Sequence, residues 1–401
     1  MKLFLLLILI FALNSIGFGQ QIIIRDTVKS EILRQTRHIN VVVPAFPSRQ
    51  SDCKMNVVYV LDGDDAFVNL VAAHLAFVRD MDNEIPAFLV VGIVSENTRM
   101  DDFMVGDPDR ETGRAQKFLS FMSDELFPYI ESCYNVTRHR VGVGHSLGGS
   151  LLMHALCDRD SLFNAYMMFS PNLVYSKNRL LEDFKAKAPV KLDKFVYLSI
   201  GDTGEPETGY LKGIRRFDSL LLNSPGIKGF EAHIDYLTEV GHMESLPVSL
   251  GRSVKEYIRY SYGTPGEDVR MAMLAEDDFA KAFSKYYNDR QEYLGYRYYP
   301  GVYNLYNHWI VLAGMNGQPR KILQIADLAI KIHEGDSHRY ILYLGKAQAY
   351  DDMNDTESAL KACEDAMKSL QAEHDQYDKE DYKYAEEEIN ELISEIKQAG
   401  H

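Results

Sequence analysis

Residues 144–149 have the sequence GHSLGG and directly follow the β-rich run RVGV at residues 140–143. A G-x-S-x-G turn with a strand before it and a helix after it holds its serine exposed at a sharp, strained bend. The flanking glycines allow the backbone to pass closely through that bend. A glycine-rich turn without chemistry is the alternative, and the strand and helix on either side argue against it. The sequence therefore predicts a reactive serine at Ser146.

Around this turn, short β-rich runs alternate with helical periodicity as far as residue 260, which indicates βαβ units and a mainly parallel sheet. Several runs are continuous in Val, Ile and Leu, as expected when helices cover both faces of the sheet. Helices are predicted at residues 115–132 and 149–158. The whole pattern predicts an α/β-hydrolase fold. The predicted strands are residues 38–44, 55–61, 88–94, 140–144, 165–169, 195–201 and 230–237.

A serine hydroxyl is a poor nucleophile until a base accepts its proton, and in this fold the base follows the acid along the chain. Among the downstream histidines of this region, His154 falls on the helix that leaves the turn and His233 falls inside a strand. His242 follows the last predicted strand, where this fold presents its base. We therefore predict His242 as the general base, with an ordinary loop histidine as the alternative.

The acid that orients the histidine is expected on the loop after the strand at 195–201. Three carboxylates compete there: Asp202, Glu205 and Glu207. We predict Glu205, with Asp202 as the second choice, because the acid usually stands a few residues beyond the strand-ending glycine.

Two backbone N–H groups are expected to stabilise the oxyanion. One belongs to Leu147, the residue after the serine, and the other to Asp64, after the turn that Gly63 allows. For Asp64 the alternative is a plain Asp-Gly turn. We find no metal-ligand spacing and no glycine-rich phosphate loop, and so we expect catalysis without a metal or other cofactor.

The first residues carry one cation, Lys2, and then an apolar run at residues 3–13 and small residues up to Gly19. This pattern predicts a secretory signal peptide over residues 1–19 and a periplasmic or secreted mature protein. A buried N-terminal helix is the alternative. No later run reaches the roughly 18 apolar residues that a membrane span needs. The net charge of −15 argues against nucleic acid as a partner.

The four cysteines show no CxxC or metal-like spacing. Cys157 and Cys363 fall on helical stretches, which favours free buried thiols. A bridge between Cys53 and Cys133 stays open, because an oxidising compartment would permit it.

After residue 265 the β-branched runs stop, so we predict an α/β-hydrolase domain at residues 20–262 and an all-helical domain at 266–401. A weak repeat of 37 residues resembles a tetratricopeptide repeat, and helical-hairpin packing is expected from it. The matched positions are Tyr306, Ile310, Gly317, Ala326 and Ala329 in the first copy and Tyr343, Ala347, Asn354, Cys363 and Ala366 in the second.

The start of the helical domain is rich in tyrosine, with six between Tyr286 and Tyr299. Aromatic rings with polar tips suit an interface. We expect this domain to dock beside the site or to bind a protein partner; the alternative is that the rings fill the helical core.

Residues 22–260 resemble the Putative esterase family of α/β-hydrolases, which includes esterase D, trilactone-siderophore esterases and, more distantly, mycolyltransferases. The matching segments are YVLDG at 59–63, RMDD at 99–102, FLSF at 118–121, ELFPYI at 125–130, the turn at 144–149 and FSP at 169–171. One departure is the acid loop, which is one residue longer than the family's usual G-x-x-Glu/Asp spacing. Arg99 and Asp102 are expected to form a pair that braces the loop entering the site.

The resemblance implies hydrolysis of a small-molecule ester, such as a siderophore or an acyl sugar, through an acyl-enzyme on Ser146. Acyl transfer by the same intermediate is an alternative, since the difference is whether an acceptor outcompetes water. A binding or scaffold protein that acts through the helical domain is a third hypothesis.

Overall fold

The computed structural model describes residues 22–44, 54–81, 85–95, 97–105, 114–187, 191–222, 228–263, 270, 273–274 and 276–399. These residues fall into two compact units, one up to Tyr260 and one from Ser261. The predicted signal peptide lies outside the described residues. Cys53 does too, so the possible disulfide between Cys53 and Cys133 stays a prediction. None of the described helices combines the length and the apolar character needed to cross a membrane.

The first unit contains an eight-stranded sheet in the order β1-β2-β4-β3-β5-β6-β7-β8. The β1–β2 and β2–β4 pairs are antiparallel, and all the others are parallel. The predicted α/β fold is therefore confirmed, as are all seven predicted strands. The strands are β1 Ile22–Ser30, β2 Gln35–Val43, β3 Met55–Leu61, β4 Phe88–Ile93, β5 Val136–His145, β6 Ala165–Phe169, β7 Lys191–Ile200 and β8 Lys228–Tyr236.

The burial of each strand explains whether its position could be predicted from the sequence. Every residue of β3 and β4 is buried, in agreement with their continuous apolar runs. The sequence did not predict β1, which pairs only with β2 at the edge of the sheet. Its side chains include the exposed Arg25 and Lys29, and such charges on an edge strand hide its periodicity while they discourage pairing with another chain.

Helices connect these strands. The helix predicted at 115–132 is confirmed as a helical run over residues 115–133, with a π-helical segment, Met122–Leu126, in its middle. The helix predicted from residue 149 begins at Leu147. The helices of this unit are α1 Asp65–Met81, α2 Arg99–Phe103, α3 Ala115–Phe121, α4 Phe127–Cys133, α5 Leu147–Asp158, α6 Tyr175–Lys187, α7 Glu207–Leu222 and α8 Ser245–Tyr262.

The parallel strands β3, β5, β6 and β7 end at one edge of the sheet, in adjacent positions. The N–H of Ser146, just past β5, donates to the carbonyl of Phe169 at 2.8 Å, and the N–H of Ser170 donates to the carbonyl of Ser199 at 2.8 Å. The next two strands along the chain, β4 and β5, lie on opposite sides of β3, so the strand order reverses there. Ligands of open α/β sheets bind at such a switch point, so this edge is where a site is expected.

The second unit is helical throughout its described elements. Its helices are α9 Glu276–Leu294, α10 Val302–Asn304, α11 Val311–Met315, α12 Pro319–Ile332, α13 Tyr340–Asp352, α14 Thr356–Ala372 and α15 Lys379–Ala399, with a π-helical segment, Leu305–Ile310, between α10 and α11.

The 37-residue repeat has a structural counterpart in the two turns that follow α11 and α13. The matched residues Gly317 and Asn354 both take the left-handed conformation, with φ of 64° and 60°. Each turn closes with an equivalent hydrogen bond, from Gln318 N to Ala313 O at 3.0 Å and from Asp355 N to Tyr350 O at 2.9 Å. The matched small residues Ala326, Ala329, Cys363 and Ala366 are buried, which agrees with close helix packing. The tetratricopeptide-like character of this unit stays a prediction.

Two other predictions concern side chains. No disulfide joins Cys133, Cys157 and Cys363 in the part of the chain that the structure describes; Cys363 is buried as predicted, whereas Cys157 is only half-buried. Tyr287 and Tyr298 are buried in the helical unit, where the ring of Tyr287 lies 4.6 Å from that of Phe283. These two tyrosines therefore fill a core, whereas docking of the helical unit beside the site stays a prediction.

Candidate active site

Ser146 lies at the tip of the turn between β5 and α5. Its backbone has φ 57° and ψ −118°, a conformation that residues other than glycine rarely adopt. Gly144 makes the turn feasible, because a Cβ there would lie 2.7 Å from the carbonyl carbon of Gly148. Strain of this kind persists only where the surrounding structure enforces it, and it is concentrated at functional sites.

A cavity of about 580 Å³ opens beside Ser146. His145, Ser146 and His242 all contribute to its wall, so the predicted nucleophile and base face one space. The other lining residues are Asp62, Asp64, Ala66, Phe67, Leu70, Arg99, Met243 and Leu246. Its size lies within the range of small-molecule sites.

The carboxylate that binds His242 is Glu207, whose Oε1 contacts Nδ1 of the imidazole. The prediction of Glu205, and of Asp202 as second choice, is wrong for this contact. Glu205 is exposed and accepts a hydrogen bond from Thr208 Oγ1 at 2.6 Å. Asp202 is also exposed and accepts one from the N–H of Glu239 at 2.8 Å.

The carboxylate that contacts His242 does not come from the loop but from the helix after it. Glu207 is the first residue of α7, and its fully buried side chain reaches back to the end of β7. Its Oε2 accepts hydrogen bonds from the N–H of Gly201 at 2.8 Å and from Ser170 Oγ at 3.1 Å. Gly201 has to be glycine, since a Cβ there would lie 2.1 Å from the carbonyl oxygen of Val240 on the base loop.

Electrostatics keep Glu207 ionised. Burial alone would raise its pKa, but the hydrogen bonds from His242, the Gly201 N–H and Ser170 outweigh burial and hold the pKa below its ordinary value. An ionised carboxylate that accepts from Nδ1 fixes the imidazole tautomer and leaves Nε2 unprotonated. His242 can then accept a proton at Nε2.

His145, which lies between Gly144 and Ser146 in the turn, also contacts His242. Its Nε2 lies 2.9 Å from the carbonyl oxygen of His242, and the two rings are 4.5 Å apart. Because a carbonyl only accepts, Nε2 of His145 carries a hydrogen. Burial is the main cause that lowers the pKa of His145 to about 4, and the nearby charge of Arg99 lowers it further. His145 is therefore a neutral donor beside the base.

Arg99 and Asp102 do not pair with each other, contrary to the prediction. Nε of Arg99 donates to both carboxylate oxygens of Asp62, at 2.9 and 2.8 Å, on the cavity wall. Asp102 is fully buried and forms an ion pair with Arg37 of β2. That pair ties α2, which carries Arg99, to the sheet.

The two predicted oxyanion donors differ in their surroundings. Leu147 is the first residue of α5, so its N–H is among those that a helix leaves without an intrahelical acceptor. Asp64 lines the cavity, but its N–H donates to the carbonyl of Asp62 at 2.8 Å. An oxyanion would have to share that N–H with Asp62. Asp64 also caps α1, since its Oδ1 accepts from the N–H of Phe67 at 2.9 Å.

Sequence reasoning named Glu207 among three candidate acids but ranked Glu205 and Asp202 above it, and it assigned no role to His145, Ser170 or Ser245. Only Glu207 had a usable signal, because Pro206 favours a helix start and an acidic residue is common in a first helical turn. His145 and Ser170 lie in the matched segments at 144–149 and 169–171 and Ser245 lies in none, but the role of all three side chains is recognisable only from what they contact.

The strained turn at a sheet edge is that of an α/β-hydrolase, and known proteins share its sequence pattern. Residues 30–202 match the family model described as "Putative esterase". This part of the chain is similar to that family, and the match supports a serine hydrolase that acts on esters. One curated relative is the ferri-bacillibactin esterase BesA of Bacillus subtilis (strain 168), which is 26% identical over 250 residues, or 55% of this chain and 84% of the relative.

Two solved structures share the fold. An uncharacterised protein from Capnocytophaga ochracea aligns with a TM-score of 0.72 at 17% identity and covers 93% of this chain and 100% of its own. The similarity therefore extends through the helical unit. An IroE-like serine hydrolase from Shewanella oneidensis aligns with a TM-score of 0.57 at 23% identity, over 77% of this chain and 99% of its own.

The contact between Glu207 and His242 predicts that, of the three carboxylates, Glu207 contributes most to kcat. Glu207→Gln should lower kcat by roughly 100- to 10,000-fold, because an amide that donates to Nδ1 forces the wrong imidazole tautomer. Glu205→Gln and Asp202→Asn are matched controls on the preceding loop, and we expect each to stay within a few fold of wild type. Steady-state kinetics on an activated ester measure all three. A larger loss in Glu205→Gln than in Glu207→Gln would contradict the assignment.

The burial of His145 predicts a pH-dependent stability. Its pKa is depressed in the folded protein, so the unfolded chain binds the proton first, and the folded state loses stability as pH falls from about 6.5 to about 4. His145→Gln keeps a donor toward His242 but does not titrate. In urea unfolding followed by circular dichroism, wild type should lose up to about 3 kcal/mol relative to this variant over that range. A difference independent of pH would contradict the prediction.

Proposed function

We propose that this protein is an exported serine esterase that hydrolyses a carboxylic ester through an acyl-enzyme on Ser146. The observation that carries the proposal is the shared cavity of Ser146 and His242, with Nδ1 of His242 bound to the buried carboxylate of Glu207. The predicted signal peptide at residues 1–19 supports export to the periplasm or beyond the cell.

In the proposed acylation, Ser146 Oγ attacks the ester carbonyl carbon while Nε2 of His242 takes the hydroxyl proton. The negative charge of Glu207 stabilises the imidazolium that results. The N–H groups of Leu147 and Asp64 donate to the oxyanion. Collapse of the tetrahedral intermediate breaks the bond to the alcohol, which leaves with the proton from His242. Water then repeats the sequence: His242 removes its proton, and the acid leaves as Ser146 regains its hydrogen.

The cavity wall supports a small ester with a bulky apolar part. The first turns of α1 contribute Ala66, Phe67 and Leu70, and the start of α8 contributes Leu246. Arg99 lies on the same wall and is half-buried, which offers a cation to the oxygen-rich part of a substrate. With BesA named as an esterase of a ferric siderophore, we propose a siderophore ester as substrate, ahead of an acyl sugar.

A fluorophosphonate probe tests the nucleophile. The mature protein should be labelled at Ser146, because the probe reacts with a serine that a neighbouring base activates. Labelling should vanish in Ser146→Ala and persist in Ser199→Ala, a buried serine on β7. Peptide mapping by mass spectrometry locates the adduct. Labelling that survives in Ser146→Ala would contradict the proposal.

A substrate panel tests the rest of the proposal on the same protein. We expect faster hydrolysis of a catecholate trilactone, iron-free or iron-loaded, than of an acylated sugar, with free acid as the product. Acyl transfer to an added sugar, in preference to water, would favour the transferase alternative.

A further inference from the structure

Ser170 follows β6 directly and is fully buried, yet its backbone has a positive φ of 43°. Glycine adopts such a conformation at little cost, whereas other residues are strained there. Its N–H is held by the carbonyl of Ser199 at 2.8 Å, so the sheet enforces the conformation. A strained serine in place of glycine suggests that the side chain has a role.

The hydroxyl of Ser170 joins the acid to the loop of the base. Its Oγ lies 3.1 Å from Oε2 of Glu207 and 2.7 Å from Oγ of Ser245. Oγ of Ser245 lies 2.8 Å from the carbonyl oxygen of His242. With the contact between Glu207 Oε1 and His242 Nδ1, these four residues form a closed ring. Ser170, Glu207 and Ser245 are each fully buried.

The hydrogens of this ring can be assigned. An ionised Glu207 only accepts, so the single hydroxyl hydrogen of Ser170 points to Oε2. Ser245 then has one hydrogen for two neighbours, Ser170 Oγ and the His242 carbonyl. Oγ of Ser245 donates to that carbonyl, which also accepts from Nε2 of His145 at 2.9 Å. Three hydrogens therefore serve the four contacts of the ring, and each of its buried carboxylate and carbonyl oxygens keeps at least one donor.

We propose that Ser170 is a positioning residue that holds Glu207 and the His242 loop in one geometry and so fixes the direction in which Nε2 faces Ser146. The proposal rests on the proposed function. Ser170 does not line the cavity, and so it acts through the acid and the base, without touching substrate.

The test compares Ser170→Gly, Ser170→Ala and the control Ser199→Ala. Ser199 is fully buried on the adjacent strand, and its hydroxyl has no hydrogen-bond partner among the described residues. We expect kcat to fall by about 10- to 100-fold in both Ser170 variants, because a small misplacement of catalytic groups costs that much. KM should stay within about twofold, since no substrate contact is removed. Ser199→Ala should match wild type.

Ser170→Gly separates positioning from folding. It removes the hydroxyl and also the strain of a positive φ, so its midpoint of thermal unfolding should equal or exceed that of Ser170→Ala. A loss of kcat in a well-folded Ser170→Gly is therefore the expected result. Normal kcat in both Ser170 variants would overturn the proposal, as would a rise in KM as large as the fall in kcat.

A double-mutant cycle with Glu207→Gln tests whether Ser170 affects kcat through Glu207. If Ser170 acts through Glu207, Ser170→Gly should have less than a threefold effect on kcat in the Glu207→Gln background. An undiminished effect there would overturn the proposal. Activity of Ser146→Ala, measured in parallel, separates the two failures: if Ser146→Ala is active, the proposed function itself fails, whereas an inactive Ser146→Ala with fully active Ser170 variants refutes only the positioning role.

Discussion

The contact between Nδ1 of His242 and the buried carboxylate of Glu207 is the interaction on which the site depends. A buried carboxylate is costly unless hydrogen bonds compensate it. Here a backbone N–H, a serine hydroxyl and the imidazole share that task. They hold the pKa of Glu207 low, so a negative charge is present where an imidazolium would form. The rest of the first unit brings these donors to one point.

The sheet supplies that convergence. Strands β5, β6 and β7 are parallel neighbours, so the residues that follow them meet at one edge. Ser146, Ser170 and Gly201 come from these three successive strand ends. Two glycines permit close approach of backbone segments. Gly144 lets the turn at Ser146 close, and Gly201 lets the loop that carries His242 pass beside the end of β7. Strain at Ser146 and Ser170 is held in place by main-chain bonds from the next strand.

Much of this arrangement is predictable from sequence, because strong local patterns determine it. Continuous apolar runs identify the central strands, and the G-x-S-x-G turn identifies Ser146. The edge strand β1 was missed, since its charges mask the alternation. The carboxylate that contacts His242 was not the one predicted, because a reach from the first turn of α7 back to Gly201 is a tertiary property, whereas the spacing rule considers only distance along the chain. Ser245 carries no motif, and the FSP segment that contains Ser170 gives no role for its hydroxyl.

The proposed mechanism requires that an acyl group is carried by Ser146. The most direct measurement is rapid quenching of the mature protein with a slowly hydrolysed ester, followed by intact-mass and peptide-level mass spectrometry. A transient adduct, equal in mass to the acyl group, should appear on the peptide that contains Ser146. Ester turnover without any adduct on that peptide would contradict it.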